Sequence, residues 1–473
     1  MSQITPVAID NDGSAVLERN VEPSKQLAHT VAEAVELYDV DRTAAHIAEG
    51  GYSRVALQFP DELLADSTLV SRALQERTGA RVFILADTSY GSCCVDEVAA
   101  EHYAADAVVH YGRTCLSLTT RLPVVYVFGR DAVDVPDLCA QCEPELRESR
   151  VLLVSDVQYA HVLEDIGSAL RGVCKEVVVS RIAVQDCAYV PGAEGAQPGR
   201  LWDLEHPIGE YTLLYVGQES LTLTNLLVTQ RCQAAFSYAP PTRTLRAESA
   251  RVNRHLSRRY HMVQRARDAN VVGIVVGTLA AVRYQNVVDA LKQLIRRAGK
   301  KLYVFVVGKL NVAKLANFPE IEAYVLVACP ENSLVDSKDF YQPVVTPYEL
   351  LLALARSREW TGDYITDFHA FLNELDQRTD DVSSEEDVPH FSLVTGTLRQ
   401  ARRYNDPRAS SSRDVTVGGG TEIAQYMGSA GAEHLLARAF RGLGHDDDEE
   451  ACEPMLAVDG LSGIASKYSH EAK

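Results

Sequence analysis

The stretch SRVALQFPDELLADSTLVSRALQERTGARVFILAD, residues 53–87, decides the fold. Its ends, SRVALQF and RVFILAD, are short apolar runs rich in β-branched residues, the signature of buried strands. The segment between them, DELLADSTLVSRALQERTG, reads as a helix. Strand, helix and strand in that order predict parallel strands joined by a crossover helix. Two further runs, DAVVHYG and LPVVYVF, complete a first set.

The pattern then recurs. VLLVSD at 151, EVVVS at 176, YTLLYVG at 211 and AAFSY near 234 form a second set. VVGIVVG at 271, KLYVFVVG at 301, AYVLVA at 323 and QPVVTP near 342 form a third. The first strand precedes the second by 28, 25 and 31 residues in the three sets, and the third by 53, 60 and 52. A layout repeated three times predicts three copies of one small α/β unit. One large doubly wound sheet with insertions is the alternative. The expected division is an N-terminal extension over 1–45, α/β domains over 46–148, 149–265 and 266–375, and an acidic remainder over 376–473. Within that remainder DQRTDDVSSEED and HDDDEEACE are acidic runs, expected to be solvated and mobile. HFSLVTGTLRQARRY between them reads as an edge strand or a docking segment.

A chain of 473 residues accommodates about three domains. With 46% hydrophobic and 23% charged residues it is not a wholly disordered protein. The balance of 46 basic against 65 acidic residues, net −19, argues against a general binder of nucleic-acid backbone, although a local basic patch is compatible with it. No secretory signal is visible in MSQITPVAIDNDGS, and the longest apolar stretch, Val271 to Val282, is far below a membrane span. The expected location is cytoplasmic. Ten cysteines are too few for a disulfide framework, and in a reducing compartment clustered cysteines are more often metal-binding or catalytic than bridged.

Ligands in parallel α/β sheets bind outside the carboxyl ends of strands. RVFILAD leads into Cys93 and Cys94, DAVVHYG into Cys115, and AYVLVA directly into Cys329, which Pro330 follows. Cys187 lies in the loop after the second strand of the second set. Thiolates on loops of a rigid sheet suit an iron–sulfur cluster or zinc, and three ligands would leave one iron of a cluster open. The bland alternative is that these cysteines are small buried hydrophobes. Amides in the GSCC and ACPEN loops are candidate donors to the sulfurs.

Other features compete less well. Cys139 and Cys142 form a CxxC that follows Pro136 in an expected loop, without a partner pair. Gly308-Lys309 lacks the rest of a phosphate loop. His110 and His102 flank the first cysteine loop and read as structural or solvated.

Several long segments carry a family resemblance: DTSYGSCCVDEVAAEHYAADAVVHYGRTCLS, VVGKLNVAKLANFPEIEAYVLVACPENSLVDSKDFYQPVVTPYEL, HFSLVTGTL, ALQFPDELL and LLYVGQESLTLTNLL. Over roughly residues 25 to 400 the chain resembles the diphthamide biosynthesis protein 1/2 family, and GSCCVDEVAAEH places it nearer the protein 2 branch. The resemblance implies three similar α/β domains in pseudo-threefold arrangement around a central [4Fe-4S] cluster. In catalytic members each domain gives one cysteine, and the open iron engages S-adenosylmethionine. Reductive cleavage there yields a 3-amino-3-carboxypropyl radical that attacks a histidine of translation elongation factor 2, the first step of diphthamide synthesis. The resemblance further implies a heterodimer with diphthamide biosynthesis protein 1, in which the present chain assists reduction of the partner's catalytic cluster, and diphthamide biosynthesis protein 3 as electron donor. Carried over by position, the ligands fall on Cys94, Cys115 and Cys329, with Cys93 as a possible substitute. Catalytic members place the middle cysteine in a leucine-glycine-cysteine stretch. Here the comparable loop reads IAVQDCAYV, so Cys187 sits near that place among departing neighbours. That departure fits a supporting subunit. A non-enzymatic scaffold for the paralogue that also docks elongation factor 2, or a structural zinc protein, are the competing expectations.

Overall fold

The β-branched runs each become a strand, and each set forms its own sheet. The computed structural model describes residues 30–85, 91–119, 121–182, 196–197, 199–308, 310–335, 340–355, 360–376 and 390–399. All of them fall within the unit Met1–Asn405. The first sheet contains β1 (Arg54–Gln58), β2 (Arg81–Ile84), β3 (Ala107–Tyr111) and β4 (Val124–Val127). The second begins with β5 (Arg150–Ser155) and β6 (Glu176–Val179). Three short strands, β7 (Arg181–Ile182), β8 (Ala196–Gln197) and β9 (Arg200–Leu201), form a small sheet of their own. The second sheet resumes with β10 (Tyr211–Val216), β11 (Ala234–Ala239) and β12 (Thr244–Ala247). The third holds β13 (Val271–Val276), β14 (Lys301–Val306), β15 (Ala323–Val327) and β16 (Val344–Val345).

The three sheets share one strand order. It reads β2-β1-β3-β4 in the first, β6-β5-β10-β11 in the second and β14-β13-β15-β16 in the third. All these neighbours are parallel, and β12 adds an antiparallel edge to the second sheet. In every sheet the chain reverses direction of travel between the first and third strands, the place where parallel sheets open a crevice. Both of those strands are almost wholly buried in each sheet, so continuous apolar runs encode them rather than an alternating pattern.

The crossover helices are written at helical spacing. The helix Tyr284–Arg297 buries Val287, Val288, Leu291, Leu294 and Ile295, which join Val272 and Ile274 of β13 in one core. Near the start of the described chain, VAEAVELYDV forms two helices, not one. Thr30 opens Val31–Leu37 with a capping box to Glu33, and Asp39, at φ 49°, breaks the run before Val40–Gly50. HFSLVTGTL forms a hairpin of β17 (His390–Phe391) and β18 (Leu398–Arg399). Ser392 donates from its hydroxyl to Asp268, at the end of the helix Ser249–Asp268, and Arg399 lies 3.8 Å from the same carboxylate. Among the described residues no helix is long and apolar enough to cross a membrane.

Candidate metal centre

Four thiols from two sheets meet at one point. The sulfurs of Cys93, Cys94, Cys115 and Cys329 all lie within 4.8 Å of one another. Cys93 is 3.9 Å from Cys94 and 3.9 Å from Cys329, and Cys94 is 3.8 Å from Cys115. All four side chains are buried, Cys329 completely. The three positions carried over from the resemblance are therefore together, and Cys93 stands among them rather than beside them. Cys187 and Lys309 lie outside the described residues.

The fold explains the convergence. Cys115 follows β3 and Cys329 follows β15, the third strands of the first and third sheets. Cys93 and Cys94 lie on the turn before the helix Glu97–His102, whose N-cap Asp96 accepts from the backbone of Ala99. Gln58, at the end of β1, grips that turn from both sides. Its side-chain NH2 donates to the Cys94 carbonyl at 2.7 Å, and its side-chain oxygen accepts from the Asp96 amide at 2.9 Å. The Cys115 amide donates to the Cys93 carbonyl at 3.0 Å, and the Thr114 hydroxyl donates to the same oxygen at 3.2 Å. After β15, the Ser333 amide donates to the Cys329 carbonyl at 3.0 Å, and the Ser333 hydroxyl to Pro330.

The sulfurs also receive donors. The backbone amide of Asn332 donates to the Cys329 sulfur and its side-chain amide to the Cys93 sulfur, each at 3.4 Å. Gly91 makes the second contact possible, because a Cβ there would stand 2.1 Å from the Asn332 nitrogen. Ser117 Oγ is 3.2 Å from the Cys115 sulfur. Hydrogen bonding, first from Cys329 and then from Cys93 and Cys94, holds the Cys115 thiol well below the usual thiol range. Hydrogen bonding to Cys115 first of all raises Cys94 and Cys329. Close thiols thus push one another's proton affinities apart, Cys115 down and Cys94 and Cys329 up, and a bound metal would displace the protons they hold.

A polar bridge beside the cysteines joins all three sheets. Arg113, after β3, donates to Glu331 at 3.2 Å and to Thr222 at 3.3 Å, and the Thr222 hydroxyl donates to the other Glu331 oxygen at 2.7 Å. Burial pushes the Glu331 carboxyl up to about 7, with Arg113 and Thr222 pulling it back. Thr222 lies in the first turn of the helix Leu221–Thr229, which Ser220 caps and which follows β10, the third strand of the second sheet. Among the described residues, the second sheet brings this hydroxyl to the neighbourhood of the four sulfurs and adds no thiol to them.

The remaining sequence candidates lie elsewhere or act in support. His110 Nε2 is 3.3 Å from the Ser92 carbonyl, and burial lowers its pKa to about 4, which keeps the ring neutral. It braces the cysteine turn. His102 lies at the surface against Tyr103. Cys139 and Cys142 correct the expected loop, since both lie in the helix Val135–Leu146. Pro136 starts that helix, and Asp134 caps it by accepting from the Asp137 amide. Cys142 is fully buried in the core of the second sheet, and burial pushes its thiol up to about 12. Neither residue belongs to the four-sulfur group.

The donor set suits a thiophilic metal group. Four cysteine sulfurs are the ligands of structural zinc and of [4Fe-4S] clusters alike. Backbone and side-chain amides aimed at sulfur are the outer partners such groups use.

Comparison with known proteins gives the family and the fold. The family model for diphthamide synthesis proteins matches residues 59–365. The chain is 44% identical to 2-(3-amino-3-carboxypropyl)histidine synthase subunit 2 of Gallus gallus, covering 98% of this chain and 99% of that one. It is 40% identical to the protein of the same name from Schizosaccharomyces pombe, covering 98% and 96%. Its fold is similar to the crystal structure of Dph2 from Pyrococcus horikoshii with a 4Fe-4S cluster. The TM-score there is 0.54 at 23% identity, over 69% of this chain and 93% of that one. The chain belongs to the diphthamide synthesis protein family.

Proposed function

We propose that this chain is the iron–sulfur subunit of a heterodimeric transferase. That enzyme moves a 3-amino-3-carboxypropyl group from S-adenosylmethionine to a histidine of translation elongation factor 2. The observation that carries the reading is the buried four-cysteine group, in a chain whose relatives are named as subunit 2 of the histidine synthase. Cys94, Cys115 and Cys329 are the proposed ligands, at the centre of three α/β domains in pseudo-threefold arrangement. The shared strand order of the three sheets and the bridge Arg113–Glu331–Thr222 support that arrangement.

When bound, the cluster supplies one-electron chemistry. The chain's own residues supply its setting. Gln58 fixes the cysteine turn, Asn332 directs N–H groups at two sulfurs, and the burial of all four cysteines keeps water away. Among the described residues the second sheet adds Thr222 and no thiol to this neighbourhood, which favours a role assisting reduction in a partner subunit, diphthamide biosynthesis protein 1. Diphthamide biosynthesis protein 3 is the proposed electron donor, and the cytoplasm the proposed location.

The test is a single-turnover assay with the cluster present in one subunit at a time. With the cluster only in the partner and excess chemical reductant, one round of transfer is expected. With the cluster only in this chain, none is expected. Transfer in the second case would overturn the assisting role.

One observation favours a second reading. A tetrahedral zinc–thiolate site with bonds of about 2.3 Å has sulfur–sulfur edges of about 3.8 Å, and three of the sulfur pairs here lie at 3.8–3.9 Å, with all four sulfurs within 4.8 Å of one another. Zinc without acid-labile sulfide in the isolated protein would establish that reading.

A further inference from the structure

Three cysteines would leave one iron of a [4Fe-4S] group open, yet this pocket contains four. The question is whether Cys93 is a spare thiol or a ligand. Three observations bear on it. Cys93 takes part in two of the three close sulfur contacts, reaching both Cys94 of its own turn and Cys329 of the third sheet. Its sulfur receives the side-chain amide of Asn332, and residue 91 is a glycine where any Cβ would expel that amide. A thiol outside the coordination shell needs no such donor, whereas a ligating thiolate gains from one. Finally, among the described residues the second sheet brings no sulfur to the group, and the Thr222 hydroxyl that follows its third strand is committed to Glu331. The first sheet therefore gives three sulfurs and the third gives one.

We propose that Cys93, Cys94, Cys115 and Cys329 form a complete four-thiolate shell, so that the cluster in this chain has no open iron and does not take S-adenosylmethionine as a ligand. The proposal rests on the iron–sulfur reading above and adds to it a reason for the assisting role. A cluster with every iron capped by sulfur is confined to outer-sphere work, and the open iron that the transfer requires must belong to the partner.

The experiment is Mössbauer spectroscopy of the full chain, loaded anaerobically with 57Fe and sulfide, with and without S-adenosylmethionine. The expected spectrum shows four irons in sulfur-only sites and no change when S-adenosylmethionine is added. In Cys93→Ala, one iron of the four is expected to move to a distinct, non-sulfur site and to respond to added S-adenosylmethionine. A three-to-one pattern in the unaltered chain, shifting with S-adenosylmethionine, overturns the proposal and leaves the iron–sulfur reading standing. Zinc without sulfide overturns both. Should Cys93→Ala fail to load, the spectrum of the unaltered chain alone decides.

Discussion

Removing one amide should move the potential of the centre by a calculable amount. Asn332→Ala deletes the side-chain N–H that reaches the Cys93 sulfur at 3.4 Å and leaves the backbone N–H to Cys329 in place. A hydrogen bond to a charged acceptor contributes about 1.5–3 kcal/mol. Only its difference between oxidation states shifts a potential, and the added electron is spread over the whole cluster. Taking about a third of the bond as that difference gives about 0.5–1 kcal/mol, or about 20–40 mV for a one-electron couple. The sign is fixed, because donors stabilise the more negative reduced form, so the variant should titrate at a lower potential. Gly91→Ala should move it the same way, since its Cβ would fall 2.1 Å from the same nitrogen. The assay is an anaerobic redox titration followed by electron paramagnetic resonance. An unchanged or raised potential in both variants would refute the role assigned to Asn332.

Other perturbations have equally definite outcomes. Cys139→Ser and Cys142→Ser should leave iron content unchanged, and Cys142→Ser should lower stability by about 1–3 kcal/mol, because it places a hydroxyl in an apolar core; loss of iron in either would contradict the assignment. Arg259→Met leaves Glu349 buried without its cation, although Tyr364 and the Thr346 amide still donate to it. Urea unfolding should register a loss of about 3–5 kcal/mol, and changing Glu349 to Gln as well should recover part of it. His110 titrates near 4 in the fold against an ordinary value of 6.5. The unfolded chain therefore binds more protons between those values, and stability should fall as pH drops through that window, by up to about 3 kcal/mol. His110→Phe should flatten that slope in melts of the metal-free protein, and an unchanged slope would refute the assignment.

Much of the architecture was legible in the chain. The expected first, second and third strands fall within a residue or so of Arg54, Arg81 and Ala107, of Arg150, Glu176 and Tyr211, and of Val271, Lys301 and Ala323. Buried parallel strands are continuous apolar runs, and such runs are the pattern that sequence states most loudly. Pro136 misled because proline marks both loops and first helical turns. The caps around it decide between these, and Asp134 with Asp137 held that signal. The break at Asp39 depends on one residue entering the left-handed region, which propensity does not announce.

The site was legible in part. Strand-end position singled out Cys93, Cys94, Cys115 and Cys329, with Cys187 as a further candidate, and only the resemblance preferred Cys94 to Cys93; the contacts of Cys93 with Cys329 and Asn332, and of Gly91 with Asn332, depend on side chains 236 to 241 residues apart in sequence meeting in space. Gln58 did leave a trace, as an uncharged polar residue directly after the apolar run Val55–Leu57. The bridge of Arg113, Glu331 and Thr222 left none, because each residue is unremarkable within its own unit.

The central claim is that these four cysteines hold an iron–sulfur cluster. The most direct test is iron and acid-labile sulfide per chain after anaerobic isolation, in the unaltered protein and with Cys94, Cys115 and Cys329 all changed to Ser. The account predicts about four of each per chain in the first and neither in the second. A colourless chain without iron and sulfide after anaerobic reconstitution, or a triple variant that keeps both, would contradict it.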